Sequence, residues 1–172
     1  MMSRVRALAI LAPLILPAAA LAAPAKTAVF DLELLDMSQE GASNGTRADE
    51  TSRVALASDE LRRLLKASDQ IEEIDLAPQA GAIHDKAPLY RCNGCVDDLA
   101  RALGADLAVS GYVEKTSNLI LSFVVTMTEV KTGKQIRAAQ VDIRGNNDEM
   151  WLRGVRWIVK NRLLAEPLPP LP

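Results

Sequence analysis

The chain has 172 residues and a formal charge of −2, with 49% apolar side chains and only 3% aromatic ones. That length fits one domain, and so large an apolar fraction excludes a disordered chain. Two Trp, two Tyr and two Phe are too few to build base-stacking platforms, and the mildly acidic balance gives no electrostatic case for nucleic acid.

Arg4 and Arg6 precede an apolar run from Ala7 to Leu21, which Pro13 and Pro17 interrupt and Ala20, Ala22 and Ala23 close. This is the pattern of a secretory signal peptide over residues 1–22, cleaved after Ala22 or Ala23. The run is too short and too Pro-broken for a spanning helix, and no Cys follows it to carry a lipid. The mature protein is therefore expected in the periplasm or secreted, without stable membrane insertion. Loss of Arg4 and Arg6 leaves 18 basic against 22 acidic side chains. They are unevenly placed: Asp31 to Asp75 is acidic, and Lys131 to Arg162 is basic. Such polarity suits a surface that docks on something.

Thr27 to Leu35 reads as a strand, and its nearly continuous apolar character marks a central position in a sheet. Met37 to Thr46, with Gly41, Asn44 and Gly45, reads as a loop. Asp49 to Lys66 reads as a helix, because Val54, Ala57, Leu61, Leu64 and Leu65 recur at helical spacing and leave Arg53, Glu60, Arg62 and Arg63 outward. Ile71 to Leu76 is a second strand, and Ala77 to Arg91 is a loop. Asn93 to Leu103 is a helix with Val96, Leu99, Ala100 and Leu103 on one face, closed by Gly104 in a left-handed cap. Leu107 to Val113, Leu119 to Val130 and Gln135 to Ile143 are strands, and the short turns between them predict an antiparallel meander.

A last helix runs from about Asp148 to Leu164 on a stripe of Trp151, Val155, Ile158 and Val159. Asn146 and Glu149 have capping-box spacing at its start. The order βαβαβββα predicts an α+β domain over residues 27–165, a mixed sheet of about five strands with helices packed on it. Residues 166–172 form a Pro-rich tail, expected to be flexible.

The inventory for catalysis is thin. His84 is the only His, no Gly-x-Ser-x-Gly elbow presents a nucleophile, no Gly-rich phosphate loop exists, and adjacent carboxylates such as Asp97 and Asp98 do not face each other. These features predict a non-enzymatic protein with no cofactor. Cys92-Asn93-Gly94-Cys95 is the strongest chemical candidate. It suits a structural disulfide in an oxidising compartment, a redox pair with its thiolate stabilised at a helix N-terminus, or a metal pair completed by His84 and Asp85. The spacing matches no strong zinc pattern, no Met cluster supports copper(I), and Val96 stands where haem attachment needs His. No metal site is therefore expected.

The stretch Arg144-Gly145-Asn146-Asn147-Asp148-Glu149-Met150-Trp151, followed by Arg153, reads two ways. It is a strand-to-helix turn with capping residues, or a docking loop in which Trp151 or Arg144 anchors a partner, since such residues dominate interface energetics.

Several stretches resemble a family of small exported proteobacterial proteins that is known only as a domain of unknown function. They are Cys92-Asn-Gly-Cys95, Leu103-Gly-Ala-Asp106, Gly111-Tyr-Val-Glu-Lys115, Ser117-Asn-Leu-Ile-Leu121, Thr132-Gly133, and Arg144-Gly-Asn-Asn-Asp-Glu149 with Trp151, Arg153 and Gly154. A more distant pattern, from a helix through Leu-Gly-Ala-Asp to a strand, a hairpin and a Thr-Gly turn, resembles the N-terminal domain of TolB. That second likeness implies a non-catalytic interaction module of the bacterial envelope with an unidentified envelope protein as partner. The competing expectation is a thiol-disulfide or metal-handling protein centred on Cys92 and Cys95.

Overall fold

A computed structural model describes residues 23–172, so the expected signal peptide lies outside the described residues. β1 (Ala25–Asp36) buries side chains on both faces: Val29 and Leu32 enter one core, Ala28 and Phe30 the other. It pairs in parallel with β2 (Ile71–Glu73) on one side and with β3 (Leu107–Ser117) on the other. The helix α2 (Ala48–Lys66) connects β1 to β2, and the return across β1 to β3 passes through α4 (Cys95–Ala102). These two crossovers run in opposite directions along the sheet. With one handedness for both, they must lie on opposite faces, and that is where the two cores place them.

The meander continues with β4 (Ile120–Glu129) and β5 (Lys134–Arg144), giving the strand order β2-β1-β3-β4-β5. In β4, Leu121, Phe123, Val125 and Met127 are buried and alternate with half-buried Ser122, Val124, Thr126 and Thr128, the period-two signature of a sheet with one covered face. The covering helix there is α5 (Asp148–Ile158), continued by a π-helical turn over Val159–Leu163. Gly154 lets α5 approach closely: a Cβ there would lie 3.1 Å from Ile143 and 3.3 Å from Phe123. Leu61, Leu65, Trp151, Val155 and Ile158 fill the larger core between α2, α5 and the sheet. Leu99, Ala100 and Leu89 fill the smaller one under α4.

The α+β class, the mixed five-stranded sheet and the meander match the sequence reading. Four local expectations need correction. The expected loop at 37–46 contains α1 (Gln39–Asn44), because the Ser38 hydroxyl caps it by accepting from the Gly41 N–H at 3.1 Å. The expected loop at 77–91 holds α3 (Ala80–Lys86) between two 3₁₀ turns. The second strand stops at Glu73 rather than Leu76. Glu60, expected outward, is buried, since Arg63 and Arg156 both close on its carboxylate at 2.7 and 2.6 Å. Gly104 has the expected positive φ of 73° after α4. In the C-terminal tail, Leu168 and Leu171 rest against the larger core, the Leu168 N–H donates to Gln70 at 2.6 Å, and the Pro167 carbonyl accepts from Arg137.

Candidate functional site

β1, β3 and β5 end at the same edge of the sheet, and the register sets Asp36 beside Lys115 and Ile120 beside Arg144. Lys115 shares the inward parity of Leu107, Val109 and Val113, so its side chain enters the end of the larger core, where it is 1% exposed. Three carboxylates meet it there: Glu50 at 2.7 Å, Asp36 at 3.1 Å and Glu40 at 3.3 Å. An unpaired buried ammonium would be prohibitively costly, and this triad compensates it. Burial alone would lower the Lys115 pKa, but the bonds to Glu50, Asp36 and Glu40 outweigh it and hold the pKa above the ordinary lysine value. Burial likewise pushes Asp36 up, yet the Ser38 hydroxyl and amide together with Lys115 bring its carboxyl below the usual range. Glu40 is lowered by its hydrogen bonds from Asn118 and then Lys115.

The network extends into the loop before α5. Glu50 accepts from the Asn146 side chain at 2.7 Å, and Asn146 accepts from the Trp151 indole N–H at 2.8 Å. Arg53 reaches Asn146 and Asp148, and Asn118 bridges to Glu40. The hairpin tip is fastened by the Gly145 N–H donating to the Leu119 carbonyl. An ionic knot thus fixes α1, the N-terminus of α2, the β3–β4 hairpin and the 144–147 loop relative to one another.

This geometry corrects two parts of the sequence reading. Trp151, placed in the apolar stripe of the last helix and alternatively read as a docking anchor, is fully buried and packs edge-on against Phe123 with ring centroids 5.4 Å apart. It belongs to the core and holds Asn146 in place. The helix cap is one residue later than expected: Asn147 accepts from the Met150 N–H at 3.0 Å, which frees Asn146 for the knot. Of the remaining loop residues, Arg144, Asn147, Asp148 and Arg153 are exposed. Around them, Met37, Leu119 and Ile120 are 65%, 70% and 39% exposed. The reading of the residues missed Lys115, Glu50 and Asp36. Their one sequence signal is a lysine at an inward position of an otherwise apolar strand.

Cys92 and Cys95 are bonded to each other across the start of α4, with Cα atoms 5.8 Å apart. Cys95 is buried in the smaller core and Cys92 is half-buried. The segment before them is clamped to the sheet by Glu33, whose carboxylate accepts from the Leu89 and Tyr90 N–H groups at 2.8 and 3.0 Å. His84 and Asp85 are exposed on α3, and His84 lines a cavity of about 550 Å³ with Phe30, Ile83 and a rim including Asp31 and Glu73. Among the described residues, no group of three or more His, Cys, Asp or Glu side chains is arranged to hold a metal. No helix among them is long and apolar enough to cross a membrane.

No curated protein matches the chain. Among solved structures it is similar to the C-terminal domain of LpoB from Salmonella enterica, with a TM-score of 0.52 at 14% identity, covering 74% of this chain and 87% of that one. It is also similar to lipoprotein GNA1162 from Neisseria meningitidis, with a TM-score of 0.50 at 17% identity, covering 85% of this chain and 100% of that one. At such identities the likeness is one of fold. TolB from Acinetobacter baumannii, to which the sequence pattern bears a distant likeness, is present as a weak structural neighbour, with a TM-score of 0.40 at 10% identity over 81% of this chain and 29% of that one. The model of the DUF3280 family, described as "Protein of unknown function (DUF2380)", matches residues 25–163, from the first residue of β1 to the end of the turn after α5, and the chain belongs to that family.

Proposed function

We propose that the protein is an exported, non-enzymatic docking module of the bacterial envelope, and that it engages another envelope protein through the end of the sheet above the Lys115 knot. One observation carries this reading. Of five large hydrophobic side chains exposed among the described residues, three (Met37, Leu119 and Ile120) gather at this one end, beside exposed Arg144. Clustered exposed apolar groups mark interaction sites, and a buried network that fixes the loops beneath them lowers the ordering cost of binding. The shared fold with a lipoprotein supports an envelope location. The pairing and burial of Cys95 support a structural staple at Cys92–Cys95 over a thiol-exchange or metal-handling role.

The test is photo-crosslinking from position 119 in intact cells. A specific adduct is expected that disappears when Ile120→Asp and Arg144→Glu are combined, while the melting temperature stays within a few degrees. Absence of any specific adduct would overturn the docking surface, and an adduct that survives this double substitution would remove Ile120 and Arg144 from it.

A further inference from the structure

The outer face of α5 carries a second, chemically different surface. Arg153, Arg156 and Trp157 on α5 are exposed, and Lys160 and Arg162 on the π-helical turn that follows extend the exposed surface. The Trp157 ring is 39% exposed, and the Arg162 guanidinium lies over it at 5.5 Å. Among the described residues, Arg153, Lys160 and Arg162 have no carboxylate within 4.0 Å. Glu60 faces Arg156, but it also takes Arg63, so two cations meet one opposing charge there. Glu149 adds one carboxylate at the N-terminal end of the stripe.

We infer that this stripe docks the protein peripherally on an anionic phospholipid surface. The apolar face of α5 is spent on the core, so the contact is a surface one, made by the row of cations and the exposed indole. The cations meet lipid phosphates, and the indole takes the boundary between headgroup and acyl chain. The outer side of a helix is convex and offers no recess for a partner's anchoring side chain, which protein docking favours. A deformable sheet of phosphates needs no recess. Arg162 stacked on Trp157 presents both groups to the same plane. The stripe adjoins the sheet end through Arg153, but the substitutions that test it leave Leu119, Ile120 and Arg144 in place, so the two proposals are tested separately.

The experiment is co-sedimentation of the mature protein with vesicles of equal parts phosphatidylglycerol and phosphatidylcholine, set against vesicles of phosphatidylcholine alone. Binding is expected to the anionic vesicles only, to weaken as salt rises, and to bring a blue shift in tryptophan emission. Trp157→Phe should abolish the shift, because Trp151 is already buried. At about five-fold per juxtamembrane cation, Arg153→Gln, Lys160→Gln and Arg162→Gln combined should lower partitioning about a hundredfold. Three results overturn the inference: no binding to anionic vesicles at low salt, equal binding to both vesicle types, or a triple variant that binds as tightly as the wild type. If polyglutamate binds where the vesicles do not, the stripe belongs to an acidic protein and the lipid assignment is wrong.

Discussion

Replacing Lys115 with methionine removes the cation at the centre of the knot while keeping most of the side chain's volume. Glu50 then stays completely buried, holding only the Asn146 amide and the Arg47 N–H. Asp36 keeps its Ser38 contacts, and Glu40, one-third exposed, keeps Asn118 and Arg47. Most of the damage therefore falls on Glu50. Breaking a buried pair by removing one partner costs about 3–5 kcal/mol, and the lower half of that range applies because two donors to Glu50 remain. A loss of roughly 3–4 kcal/mol at pH 7 is expected, read by urea unfolding with Trp151 as the reporter.

The pH dependence gives a sharper signature. In the wild type, Asp36 is held below its ordinary value. Its contribution to stability is complete above the ordinary carboxylate range and is lost as pH falls through the lowered folded value. In Lys115→Met the ammonium that helps hold Asp36 and Glu40 down is gone, so the variant has less of this contribution to lose in acid. The gap between the two proteins should therefore narrow as pH falls from about 5 to about 3. A variant within about 1 kcal/mol of wild type at pH 7, or a gap unchanged across that range, would refute the assignment of Lys115 as the buried keystone.

Two further outcomes follow from the same geometry. Glu60, lowered to about 2 first by its hydrogen bond from Arg63 and then by Arg156, against the opposing effect of burial, stabilises the fold above pH 4.5 and loses that contribution as pH drops towards 2. Glu60→Gln should flatten acid unfolding in that window and cost about 1–2 kcal/mol at pH 7, discounted for the exposure of both arginines; acid titration by circular dichroism checks both. Replacing Cys92 and Cys95 with serine opens a very short loop and should lower stability by only about 2 kcal/mol while leaving the position-119 crosslink intact. Loss of that crosslink in the cysteine variant would return the thiols to the centre of function.

Where local periodicity coincides with tertiary burial, the sequence was readable. The alternation from Leu121 to Met127 and the stripe from Trp151 to Ile158 each encode a face, and the turns at Asn118 and Gly133 encode the meander. The site was less legible, because its members come together only through the fold. Asp36 and Glu50 lie far along the chain from Lys115, and nothing local distinguishes them from solvated carboxylates. Asn146 had the spacing of a cap, yet the indole of Trp151 claims its side-chain oxygen and Asn147 does the capping. Trp151 carried two signals at once, a place in the apolar stripe and a setting among polar residues, and the core claims it. The short helices α1 and α3 carry no buried residues, so they leave no apolar period to detect.

The parallel pairing of β1 with β3 also governs when the fold can close. β1 is the first strand of the chain and stands second in the sheet, yet its principal neighbour begins at Leu107. Synthesis from the amino end presents β1 long before β3, and until then only β2, α2 and the segment from Leu89 to Ala100 are available to hold it. The β3–β4–β5 meander, by contrast, closes through turns of a few residues. Contacts of such long sequence separation are slow to form, so the local meander is expected to close before β1 docks on it.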